Sequence, residues 1–111
     1  MIRASKYNAI AEVVDGIRFA SKREARRYGQ LRLLEKARRI AKLALQPKYP
    51  LAVADKIGVL VVIGVYRGDF EYVDAATGEL VIEDAKGVRT PLYRWKKKHF
   101  EAQYGLRIRE V

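Results

Sequence analysis

From residue 11 the chain alternates short apolar runs, Val13-Val14 and Ile17 to Phe19, around Asp15-Gly16. A two-residue Asp-Gly spacer between such runs signals a hairpin, because a type I′ turn needs positive φ at both central positions. The pattern predicts a small hairpin over 11–21. It then changes to a helical period over about 22–38, with Ala25, Tyr28, Leu31, Leu34 and Ala37 on one stripe. The other faces carry Arg23, Arg26, Arg27, Arg32, Lys36, Arg38 and Arg39. Ser21 followed three residues later by Glu24 matches a capping box and marks where this helix starts.

"AKLALQPKYPLAV" reads as extended chain broken by Pro47 and Pro50, a composition suited to an edge strand. Three strands follow, over about 58–66, 69–74 and 79–85. Tight turns at Arg67-Gly68 and Thr77-Gly78 are expected to join them into an antiparallel meander. The longest apolar run, "IGVLVVIGV" at 57–65, has the length of a buried strand. Thr90-Pro91 starts a second helix running to about 104, with an N-cap hydroxyl and proline at the first helical position. Leu92, Trp95, His99, Phe100 and Tyr104 are read as inward, and Lys96, Lys97 and Lys98 as outward. Gly105 ends the helix, and "LRIREV" closes the chain as a strand parallel to the third meander strand, through a right-handed crossover. The result is one α/β domain over 1–111, with a mixed sheet flanked by helices and an N-terminal arm and hairpin over 1–20.

Composition narrows the chemistry. With 111 residues and half of them hydrophobic, the chain can bury a modest core without staples. It has no cysteine and one histidine, His99, which removes disulfides, thiolate zinc sites, cysteine catalysis and His-rich metal sites. No run approaches the roughly 20 apolar residues that span a bilayer. "MIRASKYNAI" lacks the apolar segment of a signal peptide, so a cytoplasmic location is expected, in a host's cytoplasm if the chain is phage-encoded. The net charge of +10 is uneven: residues 1–48 hold 13 basic and 4 acidic residues, whereas 49–111 hold 10 and 9. The first part suits a polyanion, and the second gathers carboxylates.

Those carboxylates fall at informative positions. In "VIEDAKG", strand alternation puts Asp84 and Lys86 on one face and Glu83 on the other. Asp69 starts the preceding strand, so hairpin pairing brings it beside Asp84. Two carboxylates at one sheet edge suit a hard divalent cation such as magnesium, which takes one or two carboxylates plus substrate phosphate. Lys86 could orient water or neutralise developing charge. Glu24 fits two roles equally, as a capping-box glutamate or as a third carboxylate. Asp69 on its own could be a turn residue, and Lys96 to Lys98 a solvated helix face.

Taken together, "SKREA" on the first helix, "QP" before the meander, "GDF" opening a strand and "EDAKG" ending the next resemble the PD-(D/E)XK nuclease superfamily. The resemblance implies a restriction-endonuclease-like αβββαβ core. More narrowly, the chain resembles small phage-encoded proteins assigned to that superfamily, and its size is similar to that of archaeal-type Holliday junction resolvases. The resemblance implies Asp69 as metal-binding aspartate, Asp84 as the variable acid of the signature, Lys86 as its lysine and Glu24 as the helix glutamate near the metal. Gln46 and Glu83 would support the site. Gly68 stands where the signature has proline.

The function expected from this resemblance is that of a Mg2+-dependent endodeoxyribonuclease, with Mn2+ as substitute, that hydrolyses phosphodiesters in branched DNA and most suits four-way junctions. Arg23, Arg26, Arg27, Lys96, Lys97 and Lys98 would hold backbone phosphates, which position DNA without reading its bases. The two-fold symmetry of a junction implies a homodimer. The alternatives are a related nuclease acting on flaps, nicks or duplex ends, and a non-catalytic DNA-binding module of the same fold.

Overall fold

A computed structural model describes residues 11–86 and 88–111; the first ten residues and Gly87 of the "EDAKG" stretch lie outside the described residues. The hairpin forms as the pattern predicts, from β1 (Glu12–Val14) and β2 (Ile17–Phe19), with Asp15 and Gly16 at φ 52° and 75°. Helix α1 (Lys22–Lys36) starts where Ser21 accepts a hydrogen bond from the Glu24 amide at 3.1 Å. Its stripe of Ala25, Tyr28 and Leu31 is buried, together with Phe19, Ile40, Phe70 and Tyr72. The helix ends two residues earlier than the periodicity suggests, because Arg38 turns to φ 58° and leads into the next strand.

The middle of the chain departs from the expected meander. Strands β3 (Ile40–Leu45) and β4 (Lys48–Ala54) run antiparallel to β6 (Phe70–Asp74) and β5 (Leu60–Arg67) respectively. No tight turn occurs at Arg67-Gly68; the chain passes straight through. Gly68 donates to the Pro47 carbonyl at 3.0 Å and Gln46 to the Asp69 carbonyl at 2.9 Å, so the two pairs form one long bent hairpin. The reversal lies at 55–59, where the Asp55 carboxylate accepts from the Ile57 and Val59 amides. Glycine at 68 serves close packing instead of a turn: a Cβ there would sit 3.1 Å from Ile82 Cγ2 and 3.4 Å from Pro47 Cγ.

Strand β7 (Leu80–Asp84) pairs antiparallel with β6, and β8 (Ile108–Glu110) pairs parallel with β7, giving a mixed four-stranded sheet in the order β3-β6-β7-β8. The crossover is α2 (Pro91–Tyr104), capped by Thr90 and ended by Gly105 at φ 68°. It covers the sheet face opposite α1, where Leu51, Tyr66, Ile82, Tyr93, Phe100 and Ile108 form a second core cluster.

Two expectations about burial fail. Leu92 and Trp95 are exposed, because α2 rests on the Tyr93 and Phe100 side, and His99 instead bonds the Ala52 carbonyl at 2.9 Å. The apolar run 57–65 is also largely exposed: its strand belongs to the two-stranded arm of the bent hairpin, beyond the edge of the main sheet. Among the described residues no helix is long and apolar enough to cross a membrane.

Candidate active site

The site lies where β7 ends beside the bend of the long hairpin. The register Phe70↔Glu83 carries the pairing of β6 and β7 up to Asp69 and Asp84, and the Asp69 amide donates to the Glu83 carbonyl at 3.0 Å. The Asp69 carboxylate turns back to accept from the Ala85 amide at 2.7 Å. Asp84 is only 1% exposed. Its two oxygens take a hydrogen bond from the Tyr66 hydroxyl at 2.7 Å and an ion pair from Lys86 Nζ at 3.0 Å. The Lys86 ammonium also stands 4.3 Å from the centre of the Tyr93 ring, a cation-π contact that fixes its position.

Electrostatics ties these groups together. Burial, and next the charge of Asp84, push the Asp69 carboxyl up to about 7, with Glu24 adding to the effect. Burial likewise raises Glu24, which the Ala20 backbone opposes; the charge of Asp84 raises it further and that of Lys86 lowers it. Burial and the Asp84 charge hold the Tyr66 phenol well above its ordinary value, so it remains a proton donor to Asp84 at any working pH. Glu24, Asp69, Asp84 and Lys86 therefore share one electrostatic site, although they come from α1, the hairpin bend and the end of β7.

The remaining candidates divide. Glu83 is fully buried on the α1 face, gripped by Arg27 through two hydrogen bonds of 2.7 and 2.6 Å and by the Tyr72 hydroxyl. Arg27 is thus committed to Glu83 instead of standing free for phosphate, and Glu83 braces the helix on the sheet instead of entering the site. Gln46 supports the bend through its backbone, at φ 50°, and its side chain is exposed. Arg23, Arg26 and Lys98 are exposed. Lys97 is drawn to Glu110 at 3.6 Å, which the Tyr93 hydroxyl and Arg89 also engage.

Lys96 lines an open cleft of about 420 Å³ beside Lys86, with Tyr66, Arg67, Thr90 and Tyr93. Sequence pattern did not single out Tyr66, Arg67 or Tyr93 for the site. Tyr66 was legible as the one polar-tipped residue ending an apolar run; Arg67 and Tyr93 carry no local signal.

Residues 4–109 match the family described as "Protein of unknown function (DUF1064)". The chain belongs to that family. No curated protein and no solved structure matches it.

In this DUF1064 chain, no group of three His, Cys, Asp or Glu side chains among the described residues is close enough to hold a metal ion. The donor chemistry nevertheless fits a hard cation. Asp69 and Asp84 offer two carboxylates; burial, and next the charge of Asp84, raise the Asp69 carboxyl to about 7, a cost that a divalent cation would relieve. The fit is to a two-carboxylate site completed by a ligand's oxygens, not to a closed protein cage.

Proposed function

We propose that the protein is a Mg2+-dependent DNA endonuclease acting on branched DNA, with four-way junctions as the preferred substrate. The observation that carries this reading is the pairing of Asp69 with Asp84, whose ion-pair partner Lys86 lines a cleft together with Arg67 and Lys96. Paired carboxylates beside cationic side chains suit phosphodiester chemistry, and with β3-β4 and β5-β6 each counted as one long bent strand the order α-βββ-α-β is the one implied by the resemblance to the PD-(D/E)XK superfamily. Asp69 and Asp84 would hold Mg2+, with Mn2+ able to replace it. The ion would supply charge neutralisation at the phosphate and make a bound water acidic.

The chain's own residues do the rest. Tyr66 keeps Asp84 oriented. Lys86 presents its ammonium to the negative charge that grows on the phosphate oxygens. Arg67 and Lys96 hold flanking phosphates across the cleft, and Arg23 and Arg26 extend the cationic surface beside Glu24. Phosphate contacts of this kind favour recognition of DNA shape over base sequence.

A second reading, a DNA-binding module without catalysis, is favoured by one observation: both Asp84 oxygens are already engaged by Tyr66 and Lys86. Labelled four-way junction, flap and linear duplex incubated in parallel with Mg2+ separate the readings. Paired symmetric nicks in the junction support a resolvase. Equal cutting of all three substrates supports a nuclease of broader choice, and binding with no cutting in Mg2+ or Mn2+ supports the module.

A further inference from the structure

The cationic groups on the α1 face of the sheet do not all belong to the site around Asp84. Beside the C-terminal end of α1 lies a second open cleft, of about 490 Å³, and Arg27, Arg38, Arg39 and Arg109 line it. It shares no lining residue with the cleft beside Lys86, which lies against α2. Arg27 is committed to Glu83 and Gln30. The other three arginines are exposed, and among the described residues no carboxylate pairs with any of them. Arg109 reaches the Tyr72 hydroxyl at 3.4 Å. The acid in the cleft wall, Asp74, is held by its own turn, where its carboxylate accepts from the Ala76 amide at 2.8 Å and the Thr77 amide at 3.3 Å.

The arginines converge from separate elements. Arg38 and Arg39 follow α1, whereas the parallel register Glu83↔Arg109 brings Arg109 from β8 to the α1 face. Cations just after a helix offset its dipole, which accounts for the first two but not for Arg109. Arg38 also stands at φ 58°, in the left-handed region that glycine occupies with least strain, so the backbone alone gives no reason for an arginine there. The other walls are apolar, from Leu34, Ile40, Ala75 and Ala76. A bare phosphate would leave most of this cleft empty, while its volume falls within the roughly 300–1,000 Å³ of pockets that hold small organic ligands.

We infer that this cleft binds a nucleotide: Arg38, Arg39 and Arg109 hold its phosphate, and the apolar wall takes its sugar and base. A guanidinium is a planar fork that meets phosphate oxygens two at a time, which suits three unpaired arginines around one dianion. The phosphate belongs equally to a free nucleotide and to the phosphorylated end of a DNA strand.

Calorimetric titration of the full chain in chelator tests this, with dAMP, deoxyadenosine and inorganic phosphate as separate probes. dAMP binds at one site, and the other two bind about tenfold more weakly or worse, since each lacks part of the contacts. Arg38→Gly combined with Arg109→Gln weakens dAMP by about tenfold or more. Glycine accepts the positive φ at 38 and residue 109 is exposed, so the circular dichroism spectrum is unchanged. Arg18→Gln combined with Lys56→Gln removes the same charge at exposed positions outside the cleft and leaves dAMP affinity unchanged. If the first double variant fails to fold, Arg38→Gly alone decides, again by weaker binding. A short 5′-phosphorylated thymidine strand then assigns the source: displacement of dAMP points to a strand end, and no displacement to a free nucleotide. No binding of dAMP, binding no tighter than that of inorganic phosphate, or equal binding by parent and arginine variants overturns the inference. The chelator keeps cations from Asp69 and Asp84, so the outcome is independent of the nuclease reading.

Discussion

Asp69 is the residue whose behaviour reports most directly on the site. Its carboxyl titrates near 7 in the folded chain and near 3.8 when the chain unfolds, so between those pH values the unfolded state loses its proton first. The contribution of Asp69 to folding stability therefore falls as pH rises from about 4 to about 7 and levels off above. Asp69→Asn keeps an acceptor for the Ala85 amide and loses the charge. Measured in chelator at pH 8, the variant is expected to be about 2 kcal/mol more stable than the parent, and the decline between pH 4 and 7 should flatten. An unchanged pH profile would show that the carboxyl is not strained by its neighbours.

At the same scale, Arg27→Ala leaves the buried Glu83 without its guanidinium partner, at a cost of about 3 kcal/mol in urea denaturation. Arg27→Ala combined with Glu83→Gln should recover much of that loss, since the carboxylate that would be left without a partner is removed as well. Both roles were only half legible in the sequence. Alternation correctly sent Glu83 away from Asp84, but nothing local marked Arg27 as its partner, because the contact spans 56 positions and depends on how α1 crosses the sheet.

Among the elements, those governed by local chemistry were the readable ones. Asp15-Gly16, the Ser21 cap, the Thr90-Pro91 start and the Gly105 stop each act within a few residues, and each stands where the pattern places it. The long hairpin was misread for the opposite reason. Gly68 looks like a turn residue, yet it is extended chain that must be small because Ile82 and Pro47 close over it. Gly68→Ala is accordingly expected to destabilise by about 1 kcal/mol in chemical denaturation, the crowding outweighing the entropy gained in the unfolded chain. A turn role predicts no such crowding. The stripe of α2 was displaced for a related reason: Leu92 and Trp95 have helical spacing, but the arm of the hairpin draws the helix onto Tyr93 and Phe100.

On the scale of the whole molecule, charge and topology act together. The bent hairpin and the crossover through α2 bring Asp69, Asp84 and Lys86 to one end of the sheet, and the N-terminus of α1 brings Glu24 near them. Arg23 and Arg26 stand exposed on the same helix as Glu24. Replacing both by alanine should reduce the slope of log affinity against log salt on duplex DNA by about 2, since each phosphate contact adds about 0.9, without abolishing binding. An unchanged slope would place the DNA elsewhere on the surface. The helices, the N-terminal hairpin and the closing strand were readable from the sequence, whereas the long bent hairpin and its exposed apolar arm were not, because a run of β-branched residues has the same pattern whether the fold buries it or leaves it exposed.

If the proposed chemistry holds, Asp84 serves catalysis and not DNA affinity. Parent and Asp84→Asn can be compared on one labelled four-way junction, reading binding by gel mobility and cutting by denaturing gel, with Mg2+ and then with chelator. The parent should cut in Mg2+ alone, and the variant should bind fully without cutting. A parent that binds but never cuts, or a variant that cuts as well as the parent, would contradict a catalytic Asp84.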